Sequence, residues 1–305
     1  MLRGQHLVYG RQFFFSIKFF FILFLSNINS ALAECILIEP KTEKVFKIYN
    51  ALLYEDMPTL NELCIEQINV MYSWHFFPKG PKKYPNKLPS NMSYRHAVDL
   101  IQKRGMLTVI DIEHWPLRGV PDQVAIRSSK KYFEVLRRLK SELPNTRIGY
   151  YGVVPVTDFY RARQPFVDQR YESWQRDNDR LKGVAETVDA IFPSLYTITP
   201  NIDHWITRAK GKLAETRRLA PGKPVYPFIW PNYHPQGGRF PVGKEVEGKY
   251  WKAQLEFLRD NADGVVLWGG NKQRFNVKSM WWLETIQFLD SFSKKSGMDD
   301  GPELE

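Results

Sequence analysis

The chain of 305 residues has few features that would tie it to a cofactor. It contains only two cysteines, Cys35 and Cys64, and they lack the close spacing of zinc ligands. The sequence has no glycine-rich phosphate loop, no nucleophile elbow and no histidine-based metal motif. These absences argue against the usual nucleotide-binding, serine-hydrolase and zinc-dependent classes, and we expect neither a cofactor nor a metal. The two cysteines form either a disulfide or two free thiols.

The chain also lacks a dense block of basic residues, although its formal net charge is +10. Its lysines and arginines are scattered, with local pairs such as Arg137-Arg138 and Arg217-Arg218. Nucleic-acid-binding segments concentrate such residues, so we expect no nucleic-acid partner. The overall charge is compatible with an acidic polysaccharide or with a generally solvated basic surface.

No uninterrupted apolar run reaches the roughly 20 residues that span a bilayer. The apolar stretch Phe19–Leu25 follows Lys18, and Ala31-Leu32-Ala33 fits a small-x-small cleavage site. We therefore interpret residues 1–33 as a cleaved secretion signal rather than a membrane anchor. The expected location is extracellular or periplasmic, without membrane attachment after cleavage.

Short β-like runs alternate with amphipathic stretches, as in a parallel α/β protein. The predicted strands are Val45–Tyr49, Ile68–Tyr72, Leu107–Ile112, Arg147–Tyr151, Ala190–Tyr196, Pro224–Phe228 and Gly264–Trp268. The predicted helices are Ser129–Leu143, Trp205–Leu219 and Glu247–Asn261. This pattern predicts one distorted, TIM-like parallel (β/α) barrel of seven or eight strands, closed or nearly closed. The barrel domain covers residues 34–293, and residues 294–305 form a disordered tail.

Two acidic residues end the predicted strand Leu107–Ile112. Asp111 and Glu113 are two positions apart, so an extended backbone directs both side chains to one face. The carboxyl ends of parallel strands are where α/β folds place their chemistry. Two acids in a partly dry site cannot ionise equally, and the one that stays protonated can act as a general acid. The pair suggests cleavage of a glycosidic bond.

Six segments in order resemble the hyaluronidase family of glycoside hydrolases. They are Val45–Asn50, Val109–Trp115, Tyr150–Gly152, Arg176–Leu181, Ile191–Tyr196 and Gly264–Gly269. The resemblance implies a distorted parallel β/α barrel and an enzyme that cleaves polymers of N-acetylhexosamine, using the acetamido group of the substrate as nucleophile. Glu113 would be the general acid and then the base, and Asp111 would stay charged, orient the acetamide and stabilise the cationic intermediate.

The same resemblance implies a sugar-binding cleft. Tyr196 is similar to the family tyrosine that helps to hold the acetamide, and Trp268 would form the floor under the bound sugar. Further residues at strand ends are expected to line the cleft: Tyr151, Trp230 and Tyr233. We expect the partner to be an anionic polysaccharide such as hyaluronan or chondroitin, and the protein to be a monomer. His114 and Asn178 are interpreted as structural.

The chain departs from the family pattern after Glu113, where His114, Trp115, Pro116 and Leu117 precede Arg118. It also lacks the family cysteine after Tyr150–Gly152. Two other functions fit the acid pair: a muramidase-type peptidoglycan hydrolase, and a glycan-binding barrel without catalytic activity.

Overall fold

Short strands and amphipathic helices alternate along the chain in a computed structural model that describes residues 35–80, 86–235 and 242–296. The strands are β1 (Cys35–Ile38), β2 (Val45–Leu52), β3 (Ile65–Gln67), β4 (Asn69–Tyr72), β5 (Thr108–Asp111), β6 (Ile148–Tyr150), β7 (Phe228–Ile229), β8 (Gly264–Gly269) and β9 (Ser293–Ser296). The helices are α1 (Ser73–Phe76), α2 (Asn91–Arg104), α3 (Asp122–Glu142), α4 (Gln169–Asp179), α5 (Lys182–Thr187), α6 (Ile202–Leu219), α7 (Gly248–Asn261) and α8 (Met280–Leu289). The predicted signal segment 1–33 lies outside the described residues.

The strands form two sheets, which corrects the expected closed or nearly closed ring. The larger sheet has the order β7-β8-β2-β1-β9, with β3 also paired to β2, and the smaller has the order β4-β5-β6. Apart from the pairs that involve β1, the strand pairs are parallel. The α/β class is therefore confirmed, while regular pairing does not close the sheet.

The predicted strand Ala190–Tyr196 is replaced by isolated bridges. Tyr151 pairs with Phe192, and Ser194 pairs with Phe228, so this segment lies between β6 and β7. Pro193 has no amide hydrogen to donate, which interrupts a regular ladder at its centre. The carboxyl ends of the segment and of its neighbouring strands therefore still meet at one edge.

Alternating side chains of the strands pack into two separate cores. The outer core joins strands to helices, and Ile110 and Ile112 are part of it. The central core consists of Tyr49, Ala51, Ile68, Val109, Tyr151, Ala190, Phe192, Tyr196, Tyr226, Phe228 and Val266. Each strand thus directs one set of residues to the helices and the other to the central core.

Gly149 in β6 belongs to the face that packs against the 190–196 segment. A Cβ at this position would overlap the carbonyl oxygen of Ala190 and lie 2.6 Å from Cε2 of Phe192. The absence of a side chain therefore allows the two backbones to approach closely.

Two strands outside the predicted set, β1 and β9, pair antiparallel with each other at the edge of the larger sheet. A disulfide joins Cys35 in β1 to Cys64, with the two Cα atoms 5.1 Å apart. Strand β9 includes Lys294, the first residue of the predicted tail, and residues 297–305 lie outside the described residues. Among the described helices, none is sufficiently long and apolar to cross a membrane.

Candidate active site

Asp111 is the last residue of β5 and continues the face that carries Val109 into the central core. The side chain is half-buried, and its Oδ1 atom is buried without a hydrogen-bond partner in the described residues. Burial, and secondly the charge of Glu113, raise the pKa of Asp111 to about 7. A carboxyl group with an unpaired buried oxygen is costly unless a ligand completes its hydrogen bonding.

Glu113 follows two residues later and remains accessible to solvent. Partial desolvation by the surrounding protein raises its pKa. The hydroxyl of Tyr132 on α3 donates to the carbonyl oxygens of Ile112, at 2.9 Å, and Trp115, at 3.2 Å. These two bonds fix the backbone on both sides of Glu113.

Whether Asp111 or Glu113 carries a proton depends on how deeply each carboxyl group is buried. Asp111 is the more enclosed of the two acids, and its pKa is raised to about 7. The two charges repel each other because they are close. Burial of both acids and the mutual repulsion of their charges therefore favour retention of a proton by the pair.

Four of the five aromatic residues predicted for the cleft come together beside the acids. Tyr196 contacts the other three, with ring centroids 5.8 Å from Tyr151, 5.7 Å from Trp230 and 5.5 Å from Trp268. We call Tyr151, Tyr196, Trp230 and Trp268 the aromatic group. The nearby acids help to raise the pKa of Tyr151 and Tyr196, after the larger effect of burial.

Tyr233 is the exception, and its predicted place in the cleft is corrected. Its side chain is only 1% exposed and belongs to the outer core. The hydroxyl donates to Oε2 of Glu247 at 2.7 Å. Tyr233 follows β7 by four residues, beyond the range over which strand alternation sets the direction of a side chain.

Two further aromatic residues at the site were missed. Tyr72 ends β4 opposite Asp111, and its hydroxyl accepts a hydrogen bond from Nε1 of Trp268 at 3.1 Å. Trp74 stacks on Tyr72 at 4.3 Å and is 57% exposed. Tyr72 ends the predicted strand Ile68–Tyr72, so its position at a carboxyl strand end was the available signal. Trp74 lies just beyond it in α1.

His114 and Asn178 have the structural surroundings expected of them. His114 packs edge-on against Phe77, with ring centroids 4.7 Å apart. Burial, and secondly Lys131, lower its pKa. Asn178 is buried in α4, accepts a hydrogen bond from the amide of Val156 and donates one to Glu215.

Within the described part of the chain, no three His, Cys, Asp or Glu side chains meet in a way that could hold a metal ion.

A cavity of about 660 Å³ opens at the opposite, amino-terminal ends of the strands, where it is lined by Gln67, Leu107 and Arg147. It contains neither acid of the pair. The acid pair and the aromatic group therefore lie at the carboxyl ends, where carboxyl groups of raised pKa adjoin aromatic rings. This combination is typical of glycoside hydrolases.

Comparison of the sequence with curated proteins points to hyaluronidases. A hyaluronidase of Loxosceles intermedia is 27% identical over 150 residues, which are 47% of this chain and 36% of that protein. "Hyaluronidase Tab y 2.0101" of Tabanus yao is 30% identical over 164 residues, 52% of this chain and 43% of that protein. The aligned region thus spans less than half the length of either relative. No protein-family model matches the chain.

The fold is also similar to that of a solved hyaluronidase. The crystal structure of bee venom hyaluronidase matches with a TM-score of 0.55 and 17% identity, covering 80% of this chain and 96% of that one. Bee venom hyaluronidase in complex with a hyaluronic acid tetramer matches with the same TM-score and identity and covers 95% of that chain. At this identity the structural match establishes the shared fold. Together with the sequence matches, it shows that the chain is similar to hyaluronidases in part of its sequence and in its fold.

Proposed function

We propose that the protein is an endo-acting glycoside hydrolase that cleaves a polysaccharide next to N-acetylhexosamine, with an anionic polymer such as hyaluronan or chondroitin as substrate. The observation that carries this proposal is the unpaired, buried Oδ1 of Asp111, next to Glu113 and beside the aromatic group. The relatives named hyaluronidase, and the hyaluronic acid tetramer bound to the bee venom protein, support the choice of substrate. We place the site at the open mouth of a distorted β/α barrel.

The proposed reaction uses the acetamido group of the substrate as nucleophile. Its carbonyl oxygen bonds to the anomeric carbon as the glycosidic bond breaks, and Glu113 gives its proton to the departing oxygen. Water then attacks the anomeric carbon, gives a proton to Glu113 and opens the oxazolinium-type ring. Two displacements at one carbon retain its configuration, as in the substrate-assisted exception to the usual pair of carboxylates.

The proton must be on Glu113 when the bond breaks, whereas burial also favours a protonated Asp111. A bound acetamide resolves this difference, because its N–H donates to the unpaired Oδ1 and stabilises the ionised aspartate. The positive charge that develops on the substrate favours the same state. Substrate binding therefore moves the shared proton to Glu113, and Asp111 then takes the charged role that the sequence suggested.

Aromatic residues on both sides of the acids provide surfaces for sugar rings. Trp268 and Tyr196 would contact the sugar at the site of cleavage, with Tyr151 and Trp230 beside them. The exposed face of Trp74 extends this surface past Tyr72.

We further propose that the protein is exported as a monomer and that residues 1–33 act as a cleaved signal.

The decisive experiment measures new reducing ends on hyaluronan, chondroitin and N-acetylated chitooligosaccharides, with the parent protein, Glu113→Gln and the control Glu172→Gln. Glu172 is an exposed carboxylate on α4, so its substitution should leave the rate unchanged. Removal of the general acid should lower kcat at least 100-fold. NMR of early products should show retention at the anomeric carbon.

Full activity of Glu113→Gln, or inversion at the anomeric carbon, would refute the mechanism. Clearing of a peptidoglycan suspension without hyaluronan cleavage would favour a muramidase. Glycan binding that persists without any hydrolysis, and survives loss of both acids, would favour a binding protein.

A further inference from the structure

A second small cavity lies at the same end of the strands as the acid pair. It has a volume of about 120 Å³ and is lined by Phe159, Arg163, His204, Arg208 and Tyr250, among others. Phe159 and Arg163 follow β6, while His204 and Arg208 belong to the first half of α6. The residues that line it include two arginines and no carboxylate.

Arg208 is a buried cation with incomplete hydrogen bonding. Its side chain is 2% exposed, and Nη2 donates to the carbonyl oxygen of Tyr196 at 2.6 Å. The Nε atom is buried without a partner in the described residues. Burial lowers the pKa of Arg208 to about 10, so the group remains charged at neutral pH. A buried charge of this kind is costly unless an opposite charge or further hydrogen bonds compensate it.

The charges around Arg208 are also predominantly positive. Arg163 is close enough to lower the pKa of Arg208 further. Lys212, one turn along α6, is fully buried and donates to the carbonyl oxygen of Ser194 at 2.8 Å. The nearest acid that acts on Lys212 is Asp158, and its carboxylate is held by the side chain and amide of Arg161. Neither Arg163 nor Arg208 forms an ion pair with a described carboxylate.

The size of the cavity suits a small oxyanion. A water molecule occupies about 30 Å³ in the liquid, so the space holds roughly four waters or one carboxylate or sulfate group. Two guanidinium groups without an acid can supply the charge-assisted hydrogen bonds that such a group requires.

Two ring contacts connect the wall of the cavity to the aromatic group. Phe159 lies 5.7 Å from the ring of His234, and His234 stacks on Tyr196 at 5.6 Å. Arg208 is bonded to the backbone of the same tyrosine. A polysaccharide bound beside the aromatic group would therefore run close to the cationic cavity.

We propose that Arg163 and Arg208 form an anion subsite that receives the carboxylate or sulfate group of a sugar unit in an anionic polysaccharide. The inference rests on the proposed function, because it names the substrate feature that the same cleft selects. The two arginines would allow the protein to distinguish charged from uncharged N-acetylated glycans.

The test measures binding to the full-length chain carrying Glu113→Gln, so that substrate is not consumed. Calorimetry compares a hyaluronan oligosaccharide, its carboxyl-reduced form and a sulfated chondroitin oligosaccharide. Arg163→Gln removes the half-buried cation, and Arg95→Gln, an exposed arginine on α2, is the matched control. We expect hyaluronan to bind about 10-fold more weakly to the Arg163 variant, because a charge-assisted hydrogen bond is lost. The carboxyl-reduced form should bind equally to the parent and to the Arg163 variant. A larger loss for sulfated chondroitin than for hyaluronan identifies sulfate as the preferred group.

A parallel titration with inorganic sulfate separates this inference from the proposed function. Calorimetry of the parent and of Arg163→Gln measures the binding of sulfate directly. Sulfate binding that Arg163→Gln abolishes supports the subsite even if no glycan binds or is cleaved, in which case only the proposed function fails. Equal binding of hyaluronan and of sulfate to the parent and the Arg163 variant overturns the subsite, whatever the hydrolytic activity.

Discussion

Trp268 donates a hydrogen bond from Nε1 to the hydroxyl of Tyr72 at 3.1 Å. Trp268 belongs to β8 in the larger sheet, and Tyr72 belongs to β4 in the smaller one, opposite Asp111. One side-chain contact therefore links the two sheets beside the acid pair. It also fixes the orientation of the indole ring that is proposed to lie under the sugar.

The Trp268–Tyr72 bond can be measured with a double-mutant cycle. Trp268→Phe removes the donor, Tyr72→Phe removes the acceptor, and the double variant isolates their coupling from the loss of packing. We expect a coupling free energy of about 1 kcal/mol in urea unfolding, which is typical for a partly buried neutral hydrogen bond. Strictly additive effects of the two substitutions would show that the contact contributes nothing to stability.

The free energy of unfolding should depend on pH through Asp111. Its pKa is raised from 3.8 to about 7 in the folded chain, so between these values the folded state binds more protons than the unfolded state. Stability from this group is full at low pH and is lost as the pH rises toward about 7. Asp111→Asn should therefore be more stable than the parent at pH 8. Each tenfold change in an ionisation constant corresponds to about 1.4 kcal/mol, which limits the gain to about 4 kcal/mol.

Urea unfolding of the parent and Asp111→Asn at several pH values between 4 and 8 tests this expectation. Asp99→Asn on α2 provides the control, because Asp99 is an exposed aspartate that does not belong to the acid pair. A parallel pH dependence for all three proteins would mean that Asp111 titrates normally.

The pH dependence of catalysis should follow the same shared proton. The raised pKa of the pair, about 7 for Asp111, predicts that kcat/KM declines above neutral pH as the free protein loses the proton needed for bond cleavage. The measurement uses a soluble oligosaccharide at concentrations well below KM. A rate that increased steadily into the alkaline range would contradict a protonated acid in the free enzyme.

The disulfide should stabilise the fold without affecting the chemistry. Cys35 and Cys64 close a loop of 29 residues, for which loop entropy gives about 3–4 kcal/mol. The double variant Cys35→Ala/Cys64→Ala should lose about this much in the free energy of unfolding and keep its activity at low temperature. Treatment of the parent with reductant should reproduce the loss and leave the variant unchanged.

Strand periodicity explains which parts of the site could be predicted. The face that carries Val109 continues to Asp111, and the face that carries Val266 continues to Trp268, so the sequence placed these residues together. Tyr233 lies in an irregular segment, where a single bond to Glu247 decides its direction. The 190–196 segment retained the correct face for Tyr196 although Pro193 prevents a regular strand.

Other features depend on contacts between distant parts of the chain. The pairing of β1 with β9 joins residues more than 250 positions apart, and neither segment has a distinctive pattern. The raised pKa of Asp111 depends on how deeply its carboxyl group lies, which alternation alone does not specify. The cationic cavity could not be predicted from the sequence, because Arg163 and Arg208 belong to different elements. Only the folded structure shows that they line one cavity without an acid.

The antiparallel pairing of β1 with β9 has a practical consequence. Because Cys35 lies opposite Ser296, the polypeptide enters and leaves the described unit at neighbouring points. A short linker between these two points would cyclise the unit or allow new termini to be opened in a surface loop, as neighbouring ends permit in many proteins. A fluorophore pair on the two flanking segments would report the integrity of this edge directly during unfolding.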